Sequence, residues 1–147
     1  MQEIDVNIVN LSDNDLPSYA TAGASGMDIR AFLTEPVTMQ PMDRYLFPTG
    51  LYLELPEGFE AQVRSRSGLA INRGITCMNS PGTIDSDYRG ELKVILVNLG
   101  NTPQVIQSGD RIAQMIIART ERAIWIPVHK LNVSSRGVSG FGHTGEQ

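Results

Sequence analysis

The chain has 147 residues, one domain's worth, with a net charge of −4 and a single cysteine, Cys77. A domain of this length buries roughly 70% of the surface its unfolded chain exposes, so it needs no staples, and one cysteine allows no internal disulfide. The mild acidity excludes a broad nucleic-acid footprint, which needs a basic face, but leaves room for a phosphate ligand met by a few local arginines.

The opening stretch, MQEIDVNIVN, is too polar for a signal peptide. No apolar run approaches the ~20 residues that span a bilayer. The expectation is a soluble, cytoplasmic protein with no membrane partner. Within EIDVNIV, Ile4, Val6 and Ile8 alternate with polar residues, the period of a half-buried strand. AGASGMDIRA follows, with Asp28 after a run of small residues. It reads as a loop entering a strand, or as a carboxylate facing a hydrated cation, since Mg²⁺ keeps its waters and takes few protein ligands.

LYLELP repeats the alternation and ends at Pro56; FEAQV continues the strand signals. In RSRSGLA, Arg64 and Arg66 alternate with Ser65 and Ser67. Ser67 is placed to cap one short helix over SGLAIN. The stretch reads as a solvated strand end, or as a phosphate cradle of guanidinium, hydroxyl and helix-start N–H groups. GITCM sets Cys77 in an apolar run, where it behaves as a small buried hydrophobe.

GTIDSDYRGELKV places Asp85 and Asp87 at a glycine-flanked turn before the strand LKVILVNL. It reads as a hairpin with polar tips. Yet Ile84 and Tyr88 bracket the acids, and in a partly apolar cleft Asp85 could hold and deprotonate water. QSGDRIAQM is a turn and strand with Gln114 the one polar residue among apolar neighbours, and AIWIPV is a further strand. Many short strands cut by Gly, Pro, Asn and Asp indicate an all-β sandwich or barrel, the jelly roll being one solution. His129 and His143 make no metal-ligand spacing, and dinucleotide and Walker glycine motifs are absent. The tail, RGVSGFGHTG, reads as slack chain or as a flap.

Taken in order, AGASGMDIRA, RSRSGLA, GTIDSDYRGELKV, GDRIAQMII and RGVSGFGHTG resemble the five motifs of the homotrimeric dUTP diphosphatases (dUTPases). The resemblance runs from about Ala22 to Gly145. It implies a jelly-roll-like β-barrel or sandwich subunit with one short helix, assembling as a homotrimer with active sites at subunit interfaces. It divides the chain into a β-rich body, 1–133, and a glycine-rich arm, 134–147, that closes on a neighbouring subunit's site. Glycine permissiveness makes such a flap physically reasonable.

The implied reaction is hydrolysis of dUTP to dUMP and pyrophosphate, limiting uracil in DNA and supplying dUMP for thymidylate synthesis. Asp85 resembles the base that directs water at the α-phosphorus. Arg66, Ser67, Gly68 and Gln114 fall where the family meets the phosphates. Asp28 matches the acid that touches Mg²⁺ through water. Tyr88 falls against the deoxyribose, and Asn79, Thr83, Ile84 and Lys93 match uracil and sugar contacts, largely through backbone. In the arm, Arg136 is implied on phosphate, Phe141 on the uracil ring, and Gly142 and Thr144 at the terminal phosphate.

This chain departs from the family at Ser139 and His143, where Gly and Ser are commoner; neither position has an assigned chemical role. Two other readings stand beside this one. Deoxycytidine triphosphate deaminases are similar in fold, but the intact TIDSDY turn and RGVSGFG tail favour hydrolysis. A non-enzymatic β-sandwich module fits the architecture equally well, but has no need for Asp85, Asp28 and Arg66 together.

Overall fold

The computed structural model describes residues 3–140. Along the chain lie β1 (Asn7–Asn10), β2 (Met27–Arg30), β3 (Val37–Met39), β4 (Arg44–Glu54), β5 (Phe59–Arg64), α1 (Ser67–Arg73), β6 (Ile75–Cys77), β7 (Gly82–Ile84), β8 (Glu91–Asn98), β9 (Gln104–Ile106) and β10 (Arg111–Arg119). One four-stranded sheet has the order β1-β4-β8-β6, a second has β2-β10-β5-β7, and β3 and β9 form a two-stranded ribbon. All the strand pairs are antiparallel.

A single apolar cluster joins the two large sheets. Phe47, Leu51, Leu92, Val94 and Leu96 come from the first and Ile29, Ala61, Val63, Ala113 and Met115 from the second. The period-2 alternation sends these residues inward and their neighbours outward. This is the all-β, jelly-roll-like sandwich with one short helix that the turn-punctuated strand runs predict. Among the described residues no helix is long and apolar enough to cross a membrane.

Where a strand is expected at EIDVNIV, only Asn7–Asn10 forms β1, and Ile4 and Val6 precede it. Three further local features depart from the sequence reading. The strand expected at LYLELP extends back to Arg44, because β4 carries a bulge between Pro48 and Leu51 that absorbs a proline in a central strand. There Gly50 takes a φ of 71°, and a Cβ on it would sit 2.9 Å from the Ser12 backbone nitrogen. Ser67 does not cap α1: the N-cap is Arg66, with no side-chain cap bond, and Ser67 is the first helical residue. Its hydroxyl is thus left for another partner.

The third departure is AIWIPV, which forms no strand. Residues 120–133 are exposed throughout, with Ile124 at 88% and Trp125 at 87%. The run is apolar in succession and of strand length, but among the described residues no sheet edge pairs with it.

Burial of polar groups follows the expected rule that each finds a partner. Asn98, fully buried, donates through Nδ2 to the Met39 carbonyl at 3.0 Å and the Thr102 carbonyl at 2.9 Å, and accepts from the Gly100 N–H at 2.9 Å. It thereby ties the β8–β9 turn to β3. Cys77 is buried as expected, and that burial pushes its thiol pKa up. Asn98→Ala strands these backbone groups, and the expected loss is about 2–3 kcal/mol of stability. A chemical-denaturation midpoint equal to that of the unaltered protein would contradict this assignment.

Candidate functional site

Strand β8 builds the floor of one cleft. Leu92, Val94 and Leu96 point into the core, so Glu91, Lys93 and Ile95 point out of it. Leu46 of β4, Asn79, Thr83, Ile84, Asp85 and Tyr88 complete a cleft of about 270 Å³. The sequence-predicted Asn79, Thr83, Ile84, Asp85, Tyr88 and Lys93 are therefore brought together.

The edge of β8 is open there. Pairing with β6 stops at Cys77 opposite Leu96, and the Met78 N–H on the Ile95 carbonyl, 2.9 Å, extends it by one rung. Backbone groups alternate sides along a strand. The Leu92 carbonyl faces β4, where it accepts from Thr49 Oγ1 at 2.6 Å, so the Lys93 N–H and C=O face away from β4, into the cleft. Its partner across β4 is Pro48, which has no N–H to offer.

Asp85 directly follows β7 and begins a turn closed by the Tyr88 N–H on its own carbonyl, 3.2 Å. Among the described residues no donor engages its carboxylate. Arg89 braces the turn, donating to the Ser86 carbonyl at 2.6 Å and the Tyr88 carbonyl at 3.1 Å, and reaching Glu54 at 3.3 Å. A hydrogen bond from Asn7, and then the charge of Arg89, hold Glu54 below the usual carboxylate pKa. Below Asn79, Ser65 Oγ bonds Thr76 Oγ1 at 2.8 Å and Ser80 Oγ at 3.3 Å, and accepts from the Cys77 N–H at 2.9 Å. Arg89 and Ser65 were not singled out from the sequence; each lies beside a residue that was.

The second group of predicted residues lies elsewhere. Asp28 accepts from Arg66 Nε at 2.9 Å and Arg111 Nη1 at 3.2 Å, with Gln114 Nε2 3.4 Å away. Arg111 was missed by sequence reasoning, although it stands three residues before Gln114. Arg66 and Arg111 line a cleft of about 200 Å³ with Leu69, Arg73, Ile106 and Asp110. Beside it Ser67 and Gly68 open α1, where first-turn N–H groups have no intrahelical acceptor. Excess positive charge, hydroxyl and N–H donors make this an anion-binding arrangement.

These two groups share no lining residue. Asp28 faces Gln114, which faces Arg64, whereas Ala61 faces Ile84, so Asp85 lies level with Glu60. Three strand spacings of ~4.8 Å and four residues at ~3.3 Å separate the two carboxylates by roughly 20 Å. No triphosphate bridges that distance. Arg136 lines neither cleft, and donates to the Ser139 carbonyl of its own turn at 2.9 Å. Phe141, Gly142, His143 and Thr144 lie outside the described residues.

A family model for dUTPase matches residues 12–145. The deoxyuridine 5'-triphosphate nucleotidohydrolase of Cytophaga hutchinsonii is 58% identical over 96% of this chain and 92% of its own. That of Fusobacterium nucleatum is 49% identical over 99% and 100%. Among solved structures, the dUTPase of Staphylococcus bacteriophage 80alpha superposes with a TM-score of 0.83 at 22% identity, covering 96% of this chain and 98% of that one.

The Asp28 cluster yields a prediction of its own. Asp28→Asn leaves two guanidinium groups facing a neutral amide in a half-buried setting. The expected loss of stability is about 1–2 kcal/mol, partly regained in high salt that screens the arginines. A variant as stable as the parent at low salt would show that the pairing contributes nothing.

Proposed function

This chain belongs to the dUTPase family, and from that premise we propose that it hydrolyses dUTP to dUMP and pyrophosphate with Asp85 as the base. The observation that carries this reading is a carboxylate without a protein partner among the described residues, beside a cleft whose floor offers a backbone donor and acceptor side by side.

Uracil presents O4 as an acceptor next to N3–H as a donor. The Lys93 N–H and C=O match that pair, and cytosine, with the pattern reversed, leaves both unmet at ~1–3 kcal/mol each. Recognition then rests on the strand edge, and the Lys93 side chain, paired with Glu91 at 3.4 Å, is dispensable for it. Asn79, Thr83 and Ile84 enclose the base, and the Tyr88 ring packs against the deoxyribose. An added 2′-hydroxyl would be crowded and stripped of water there.

Asp85 holds a water by accepting its proton. The water oxygen bonds to the α-phosphorus, the bond to the bridging oxygen of the β-phosphate breaks, and pyrophosphate leaves. Arg66, Ser67, Gly68 and Gln114 hold the phosphate chain. The acid available for a metal is Asp28, and among the described residues no three His, Cys, Asp or Glu cluster. That donor set fits a hydrated Mg²⁺ carried by the triphosphate and touched through water, not a protein-caged ion. When bound, Mg²⁺ offsets charge growing on the leaving pyrophosphate.

Because Asp28 and Asp85 of one chain are too far apart to serve one nucleotide, the site takes its phosphate-binding group from a second copy. We assign a homotrimer, supported also by the exposed apolar run from Ile124 to Val133. Residues 134–147 are the arm that closes over a neighbour's site, Arg136 on phosphate, Phe141 on uracil, Gly142 and Thr144 offering N–H groups to the terminal phosphate.

Asp85→Asn is expected to keep dUTP affinity within about threefold while pyrophosphate release falls by 10²-fold or more, on the order of a lost general base. Near-normal turnover would remove Asp85 from that role. Truncation before Arg136 is expected to preserve the melting temperature and the mass in solution yet lower kcat/KM at least tenfold, on the order of one lost charge-assisted contact. Full activity of the truncated protein would dispose of the closing arm.

A further inference from the structure

Tyr88 owes its position to an absent side chain. The Tyr88 hydroxyl donates to the Glu91 carbonyl at 3.0 Å, folding the ring back across the turn that follows it. The ring lies over the bare Cα of Gly90. A Cβ there would overlap the Tyr88 hydroxyl and Cζ and sit 2.9 Å from Cε2. Those atoms belong to a rigid ring, so no terminal rotation relieves the overlap; the whole ring must swing out.

The backbone itself does not call for glycine at this position. Gly90 is absent from the residues with positive φ, unlike Gly50, Gly58, Gly74 and Gly109. The turn is also held independently, by Arg89 on the Ser86 and Tyr88 carbonyls and by the Tyr88 N–H on Asp85. What Gly90 supplies is therefore space for one aromatic ring.

We infer that Gly90 is a specificity-determining positioning residue, whose bare Cα seats the Tyr88 ring as the wall that excludes a ribose 2′-hydroxyl. The inference rests on the reading of Tyr88 as the sugar wall. With a methyl at position 90 the ring leaves its seat, the wall opens, and UTP gains access while the Lys93 edge still reads uracil.

The test compares kcat/KM for dUTP and UTP in the full-length protein, in Gly90→Ala, in Tyr88→Ala and in the double variant. Gly90→Ala is expected to lower the dUTP-to-UTP ratio about tenfold, within the range set by one crowded hydroxyl. In the Tyr88→Ala background the same substitution is expected to leave the ratio unchanged, because the two act through one ring. A parental preference that survives Gly90→Ala overturns the inference alone, even when both turnovers fall in parallel. Further loss of the ratio in the double variant also overturns it. A parent that does not prefer dUTP removes the sugar reading, and the inference with it. Should Gly90→Ala melt too early to assay, the double variant is expected to regain the melting temperature of Tyr88→Ala. Failure to regain it overturns the proposed seat.

Discussion

The structure depends on the way β8 is paired. Its inward residues Leu92, Val94 and Leu96 anchor it in the core, and one edge is covered by β4 along nearly its whole length. The other edge is covered by the three-residue β6 only from Leu96 onward. A strand so fixed on one face and one edge has little freedom on the rest. Its outward face and open edge are thus a rigid template, the condition under which a site is positioned without ordering cost at the moment of binding. The bulge at Pro48 to Leu51 belongs to the same arrangement: it lets the Gly50 N–H donate to Glu91 at 2.9 Å, which holds that carboxylate at the cleft floor.

Two aspartates of the same chain sit in opposite electrostatic settings. Asp28 is gripped by two guanidinium groups, whereas Asp85 meets no protein donor among the described residues. A carboxylate held by two arginines orients them, and it keeps lone pairs open to water. A carboxylate left open at a cleft can accept hydrogen bonds from water. Environment, not residue type, divides the two roles proposed for them, and the Asp28 pairings hold Arg66 and Arg111 in place.

The sandwich was legible in the sequence because alternation at Ile4-Val6-Ile8 and Leu51-Leu53-Leu55, together with turn residues, reports local geometry. The cleft residues were legible through their motif order. What escaped depends on contacts distant in sequence or absent from one chain. Ser67 looks like a cap, but it is the first residue of the helix and Arg66 is the N-cap. Arg111 meets Asp28 across 83 positions, a pairing that no window of sequence contains. The short strands β3 and β9 have three residues each, too few to show a period. Ala123 to Val128 is an apolar run of strand length that forms no strand, and among the described residues no edge pairs with it.

That last mismatch and the roughly 20 Å between the two carboxylates point in the same direction. A run of exposed Ile, Trp, Ile, Val and Leu side chains is unfavourable in water, and a half-site with arginines but no base has no chemistry. Both are properties of the isolated chain, and the proposed assembly relieves both by placing one copy beside another. Burial of the apolar run supplies association free energy that depends little on register. In the homotrimer proposed above, burial of this apolar run and the meeting of one copy's Asp28 cluster with another's Asp85 cleft belong to the same association.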